Sequence, residues 1–172
     1  MKIETLRHCR LFDLLNDEQI AELATMVEIH HFHKGEYVCK EGAWGDSMFI
    51  IDAGEVKITK KLDVNDTWEI TVLRHGDFFG EVALIDGSPR TAAAIALTHT
   101  SVLELYSRDF KKLTSEVNEL TMTLYESLIR TLINRMRVTD DLVARIMLEM
   151  KPGKMKEAAT MRDAITKMIL GR

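Results

Sequence analysis

No stretch of this sequence approaches the ~18 consecutive apolar residues that a membrane helix needs, so nothing in it reads as a membrane span. The opening residues, Met-Lys-Ile-Glu-Thr-Leu-Arg-His, hold no apolar signal-peptide core. Cysteine is scarce: Cys9 and Cys39 stand alone with no pairing pattern. That excludes a disulfide framework and suits a reducing cytoplasm, where both would serve as small packing residues. Excess positive charge is missing too. The net charge is −4, so no global basic field advertises nucleic acid. Neither proline nor glycine interrupts residues 117–150. What remains, 46% hydrophobic and 29% charged, is ordinary for a globular chain, and 172 residues fit one domain with an appendage.

Chemistry concentrates in Gly76-Asp77-Phe78-Phe79-Gly80-Glu81-Val82-Ala83-Leu84-Ile85-Asp86-Gly87-Ser88-Pro89-Arg90-Thr91-Ala92-Ala93-Ala94. Gly80 can take backbone angles closed to other residues and lets a ligand approach the main chain. Residues 81–85 can form only a short helical turn before Gly87 and Pro89 stop it. The start of such a turn offers free N–H groups near Val82 and Ala83 to an anion. Arg90 adds a planar fork of donors that fits a phosphate. Glu81 only accepts, so beside a phosphate it must serve hydroxyls rather than the anion. A ligand with one phosphate charge and an adjacent sugar hydroxyl satisfies both. The bland alternative is a Gly-rich turn with a surface Glu and a surface Arg.

Phe79-Gly80-Glu81-Val82-Ala83-Leu84, followed by Arg90-Thr91-Ala92, resembles the phosphate-binding cassette of cyclic nucleotide-binding domains. The resemblance implies that Arg90, the main chain near Ala83 and Thr91 hold the cyclic phosphate, while Glu81 accepts from the ribose 2′-hydroxyl. Ile58 and Ile70 occupy positions similar to those where the family packs aliphatics against ribose and base, and they read equally well as core.

The flanking pattern fits this. Apolar residues at helical spacing (Leu11, Leu14, Leu15, Ile20, Leu23, Met26) precede the strands, and Asn16-Asp17-Glu18-Gln19 looks like a cap opening a helix to about residue 26. From residue 27 the period shortens towards two. Short strands over 27–33, 36–40, 47–52, 55–60, 67–73, 92–97 and 101–106 are separated by regular turns. The expected fold is mainly β with flanking helices (α+β): an eight-stranded antiparallel jelly-roll barrel. Its parts are an N-terminal helical lead-in (1–26), the barrel with a short following helix (27–116), a long dimerisation helix (117–150) and a short helical tail (151–172). Among the glycines, 35, 42, 45, 54 and 76 read as turn formers and only Gly80 as placed for the ligand. His31 and His33 share a strand face, as in a metal-binding cupin-like enzyme, but Glu36 does not fall at that family's spacing, and His75 and His99 sit in expected turns rather than on a later strand. No metal is expected.

After the strands, Ser107 looks like the cap of a short helix. In the long helix Leu128, Leu132, Arg135, Thr139, Leu142 and Ile146 follow a heptad-like seam that asks for a partner helix, hence a homodimer. The run Asn134-Arg135-Met136-Arg137-Val138-Thr139-Asp140 is similar to the central helix of catabolite activator-type regulators. It implies Arg135 near phosphate or ribose, Thr139 at the adenine amino group, and Asp140 at a slot used from the other subunit. Asp140 replaces a Ser of that pattern and reads equally as a solvated residue. Acceptors there favour cAMP. Thr91 pulls towards cGMP, as in cyclic-GMP-dependent kinases. Regulators of the activator type continue into a helix-turn-helix domain, for which residues 152–172 are too few. The locally basic tail reads as a solvated helix face, so DNA is not the expected partner. The expected function is a non-enzymatic cyclic nucleotide sensor acting on an unknown downstream protein. The rivals are a DNA-binding regulator, a metal-dependent cupin-like enzyme and a degenerate barrel without ligand.

Overall fold

A computed structural model describes residues 2–63 and 66–149. The chain divides into two compact units, Met1–Leu128 and Ile129–Arg172. The expected tail helix (151–172) lies outside the described residues.

The first unit opens with α1 (Lys2–His8), a 3-10 turn (Arg10–Phe12) and α2 (Asp17–Met26). The expected cap of α2 is present. Asn16 Oδ1 accepts from Gln19 N at 3.0 Å and Gln19 Oε1 accepts from Asn16 N at 2.9 Å, a reciprocal capping box that satisfies two N–H groups the helix leaves unpaired. Eight strands follow: β1 (Glu28–Phe32), β2 (Tyr37–Cys39), β3 (Ser47–Ala53), β4 (Val56–Asp63), β5 (Asp66–Leu73), β6 (Phe78–Phe79), β7 (Ala93–Ala96) and β8 (Thr100–Tyr106). Between β6 and β7 lies α3 (Glu81–Asp86), and α4 (Ser107–Leu113) follows β8 directly.

The strands build two antiparallel sheets, ordered β1-β8-β3-β6 and β2-β7-β4-β5. This is the strand order of a double-sheet jelly roll. The expected closed barrel is not formed. Among the described residues no ladder joins the two sheets: β6 has two residues, and β2 has three with a bulge between Tyr37 and Cys39. Strands so short offer too few backbone groups to carry pairing across the edges.

The first sheet is covered on both faces. Towards the second sheet it turns Phe49, Ile51, Phe79 and Val102, which pack with Val56 and Ala94. Its other face, with Met48, Ile50, Phe78, Leu103 and Leu105, packs on Leu6, Phe12, Ile20, Leu23, Phe110 and Leu113 from the helices. Successive strand residues point to opposite faces, so β3, buried from Ser47 to Ile51, reads as an apolar run rather than an alternation. Burying each such side chain is worth about 1.5–3 kcal/mol.

Ser107 does not cap α4. Tyr106 is the N-cap, with no side-chain cap bond, and Ser107 is the first helical residue, its N–H bonded to Asp46 O at 2.6 Å. The loop before β3 already satisfies that donor. The long helix is α5 (Glu119–Glu149), opened by Asn118, whose Oδ1 accepts from Thr121 N at 2.9 Å. Its early apolar stripe, Leu120, Leu124 and Leu128, is buried in the first unit's own core. The expected seam from Leu128 is therefore corrected at its first residue: Leu128 packs inward. Exposed apolar residues of α5 include Met122, Tyr125, Ile129, Ile133 and Met136, while the seam positions Leu142 and Ile146 lie outside the residues whose side chains are described. Among the described residues, no helix is long and apolar enough to cross a membrane.

Candidate functional site

The cassette is set by its glycines. Gly80 caps α3 in the left-handed region, at φ +84°, where a side chain is strained. Gly87 closes the helix in the same region, its N–H bonded to Ala83 O at 3.0 Å. The six residues between present Ala83 and Leu84 inward and Val82 and Ile85 outward. Val82, with an exposed side chain, offers its main-chain N–H.

Arg90 is pinned by its backbone before its side chain is considered. Its N–H donates to Ala43 O and its carbonyl accepts from Gly42 N, both at 2.8 Å. The neighbouring Pro89 bridges Trp44. The guanidinium then runs inward. Nη1 donates to Ser47 O and, at 3.3 Å, to Gly80 O, while Nη2 donates to Ser47 Oγ at 2.9 Å. Its plane lies over the Phe49 ring, 5.1 Å from the centroid, and that ring stacks on Phe79.

Burial decides between the cassette reading and the bland one. A surface Glu and a surface Arg would be solvated, yet Glu81 is 3% exposed and Arg90 8%. Charged side chains are almost never buried this far unless something pairs them. Two carbonyls and a hydroxyl hold Arg90, and none of them carries the negative charge that would neutralise it. A cyclic phosphodiester is an anion of the right charge and geometry for that fork.

Several residues of the site escaped the sequence reading. Gly45 is not merely a turn former. A Cβ there would stand 2.5 Å from Arg90 Nε, 2.7 Å from its Cζ and 2.9 Å from Ala83 Cβ, so the missing side chain is the space the guanidinium uses. Ser47 and Glu104 were also passed over. Ser47 Oγ donates to Glu104 Oε1 at 2.6 Å, and Tyr106 OH donates to Glu104 Oε2 at 2.9 Å. Burial, with the Glu104 carboxylate beside it, pushes the Tyr106 phenol up to about 12, so it stays a donor at neutral pH. His30 Nε2 stands 3.0 Å from the same Glu104 oxygen without an aligned hydrogen bond. One signal was available: a small hydroxyl at the inward register of an otherwise apolar strand, two residues after a glycine. At Cys39, burial pushes the thiol up, against the opposing pull of Arg90.

The other expected contacts are dispersed. Thr91 is exposed, and its carbonyl accepts from Lys60 Nζ at 2.5 Å. Ile58 packs against the cluster between the sheets. Ile70 does not join either core. It falls opposite the β4 bulge, where Ile58 pairs Thr71 and Thr59 pairs Glu69, and it stands half exposed. Arg135, Thr139 and Asp140 belong to the second unit and are exposed on α5. Thr139 Oγ1 donates to Arg135 O at 2.9 Å, which leaves its lone pairs as acceptors. His31 and His33 both meet His99, at ring separations of 6.2 and 5.5 Å. Among the described residues, no three His, Cys, Asp or Glu side chains are arranged to hold a metal ion.

The comparisons with known proteins agree with this geometry. The chain is 36% identical over 121 residues to cGMP-dependent protein kinase, isozyme 1, of Drosophila melanogaster, which covers 69% of the chain and 16% of the kinase. It is 27% identical over 151 residues to the CRP-like cAMP-activated global transcriptional regulator of Mycobacterium tuberculosis, covering 88% of the chain and 66% of the regulator. The chain thus spans a small part of the first and under two thirds of the second. In structure it is similar to the N-terminal domain of a transcriptional regulator from Streptomyces coelicolor A3(2). That match has a TM-score of 0.69 at 30% identity and covers 80% of this chain and 94% of that one. Residues 29–116, which hold β2 to β8, α3, α4 and all of β1 but its first residue, match the family model of the cyclic nucleotide-binding domain. A buried guanidinium held by two carbonyls and a hydroxyl, set in this cassette and this pair of sheets, agrees with that match, and the chain belongs to the cyclic nucleotide-binding domain family.

Proposed function

We propose that this protein is a non-enzymatic cyclic nucleotide sensor that favours cAMP over cGMP and passes binding on to α5 within a homodimer. The observation that carries the proposal is the buried Arg90, anchored among the described residues by neutral acceptors, nine positions after a buried Glu81. Arg90 and the first N–H groups of α3, at Val82 and Ala83, bind the phosphodiester. Glu81 accepts from the ribose 2′-hydroxyl and Thr91 assists. The resemblance to activator-type regulators assigns Thr139, with Asp140 and Arg135, to the base, and a hydroxyl already donating within its own helix has only acceptance left to offer an adenine amino group.

The choice of base is open to direct measurement, since the relatives include one named for cGMP and one for cAMP. Two features support coupling and assembly. The loop that holds Arg90 through Ala43 also holds the start of α4 through Asp46 O. The outward stripe of α5, Met122 to Met136, has an apolar spacing that a second copy of the helix would cover. The free cysteines suit a cytoplasmic setting. No DNA contact is assigned, and the downstream partner is a protein.

Calorimetric titration of the whole chain with each nucleotide tests the reading. Arg90→Ala should weaken cAMP binding by about one to two decades, the loss of a charge-assisted bond. Normal binding by that variant overturns the phosphate assignment, tighter cGMP binding overturns the base preference, and nucleotide hydrolysis overturns the non-enzymatic reading.

A further inference from the structure

Arg90 does not hold its own plane. The Phe49 ring supports the guanidinium from one side, and rotation within the plane is fixed by its hydrogen bonds: Nη1 donates to the Ser47 and Gly80 carbonyls, and the other arm of the fork, Nη2, donates to Ser47 Oγ at 2.9 Å. A serine hydroxyl has one proton and two lone pairs. Where the proton points decides whether that oxygen can receive a cation. Ser47 is 2% exposed, so water is not available to take the proton. Glu104 Oε1 takes it, at 2.6 Å. The other Glu104 oxygen is held in turn by Tyr106 OH at 2.9 Å.

We infer that Glu104, acting through Ser47, is a positioning residue for phosphate binding. It draws the Ser47 proton away from Arg90, leaves that oxygen as a fixed acceptor for Nη2, and so helps fix, with the two carbonyls on Nη1, how the fork is turned within its plane towards the ligand. The inference rests on the cyclic nucleotide reading above and deepens it. Glu104 and Ser47 stand on neighbouring strands of the first sheet, β8 and β3, with Glu104 paired to Phe49 and Ser47 to Tyr106. Both residues therefore share the sheet face that carries Phe49 and Val102. A charge-assisted hydrogen bond of this kind is among the stronger ones available to a hydroxyl.

The positioning role is distinct from a charge effect. Removing a negative charge near Arg90 would, by Coulomb's law alone, strengthen phosphate binding. Losing the acceptor weakens it. Glu104→Gln removes the charge and keeps an acceptor oxygen, whereas Glu104→Met removes both at similar length.

The test is calorimetric titration of the full chain with cAMP, and with its two phosphorothioate diastereomers, in each of which sulfur replaces a different exocyclic oxygen. Glu104→Met should weaken cAMP binding by about five- to tenfold, the scale of one positioning bond. It should also narrow the discrimination between the diastereomers, which a general loss of stability would leave unchanged. Glu104→Gln, which keeps the acceptor and loses the charge, should keep the discrimination near the wild-type value and bind cAMP at least as tightly as wild type. Ser47→Ala should match Glu104→Met, and the double variant should add nothing further. Ser47→Ala deletes a single oxygen and carries the same test if Glu104→Met does not fold. Unchanged affinity and discrimination in Ser47→Ala, or additive penalties in the double variant, overturn the positioning role while leaving the site intact. A wild-type chain that binds no cyclic nucleotide overturns both.

Discussion

At the scale of single residues, the site depends as much on what is missing as on what is present. Arg90 fits because Gly45 and Gly80 lack side chains: a Cβ at either would stand 2.5 Å from the guanidinium. Gly45→Ala should therefore displace the Arg90 side chain and weaken cAMP binding, by about tenfold if one charge-assisted bond to phosphate is lost. In an Arg90→Ala background the same substitution should cost little, because the atoms it strikes are gone. Titrations of the four proteins check this, and equal penalties in both backgrounds would show that Gly45 acts on the loop instead. Glu81 and Arg90 were legible because residue type and spacing within one short segment suffice to mark them. Gly45, Ser47 and Glu104 were not, because they approach Arg90 only after the strands pair, from as far as 45 residues away in sequence. A local pattern holds no trace of that meeting.

At the scale of elements, α1 is clasped to the end of β3. Thr5 Oγ1 and Ser101 Oγ both donate to Asp52, at 2.5 and 2.7 Å, and His75 Nδ1 stands 2.6 Å from Asp52 O. Burial opposes ionisation of Asp52, but these hydrogen bonds, with His75 nearby, outweigh it and hold the carboxyl below its usual range. A depressed carboxyl contributes stability above its unfolded pKa and loses it as pH falls through the folded value. Thr5→Val should therefore lower stability at neutral pH by about 1–3 kcal/mol, and the deficit should shrink as Asp52 protonates. Thermal melts of both proteins across the acid range measure it. A deficit that stays constant to low pH would assign the loss to packing. The element pattern was legible where periodicity is strong: α2 with its Asn16 cap, and the seven longer strands. β6, at two residues, is too short to show a period. The seam drawn from Leu128 misplaced its first residue, because periodicity alone does not say which apolar side of a long helix folds inward.

At the scale of the whole molecule, a ligand that binds only the folded chain adds stability by mass action, about 2.7 kcal/mol at a hundredfold excess over Kd. Saturating cAMP should raise the melting temperature of the wild-type chain, and Arg90→Ala should lose most of the rise at the same concentration. A rise that survives Arg90→Ala would mean that the nucleotide is held elsewhere. Exchanging an outward residue of α5, Ile133→Asp, should dissociate a homodimer in sedimentation while leaving the first unit folded, since Ile133 is outside its core.

The strand β3 gives this arrangement a further property. It is a party wall: Phe49 and Ile51 look into the chamber where Arg90 lies over Phe49, Met48 and Ile50 into the chamber where α1, α2 and α4 are lodged. The two chambers share one backbone. A ligand that nudges Phe49 by pulling on the cation above it moves the neighbours of Phe49 in the opposite room as well. Signalling from pocket to helices then needs no dedicated wire, only the thickness of a single strand.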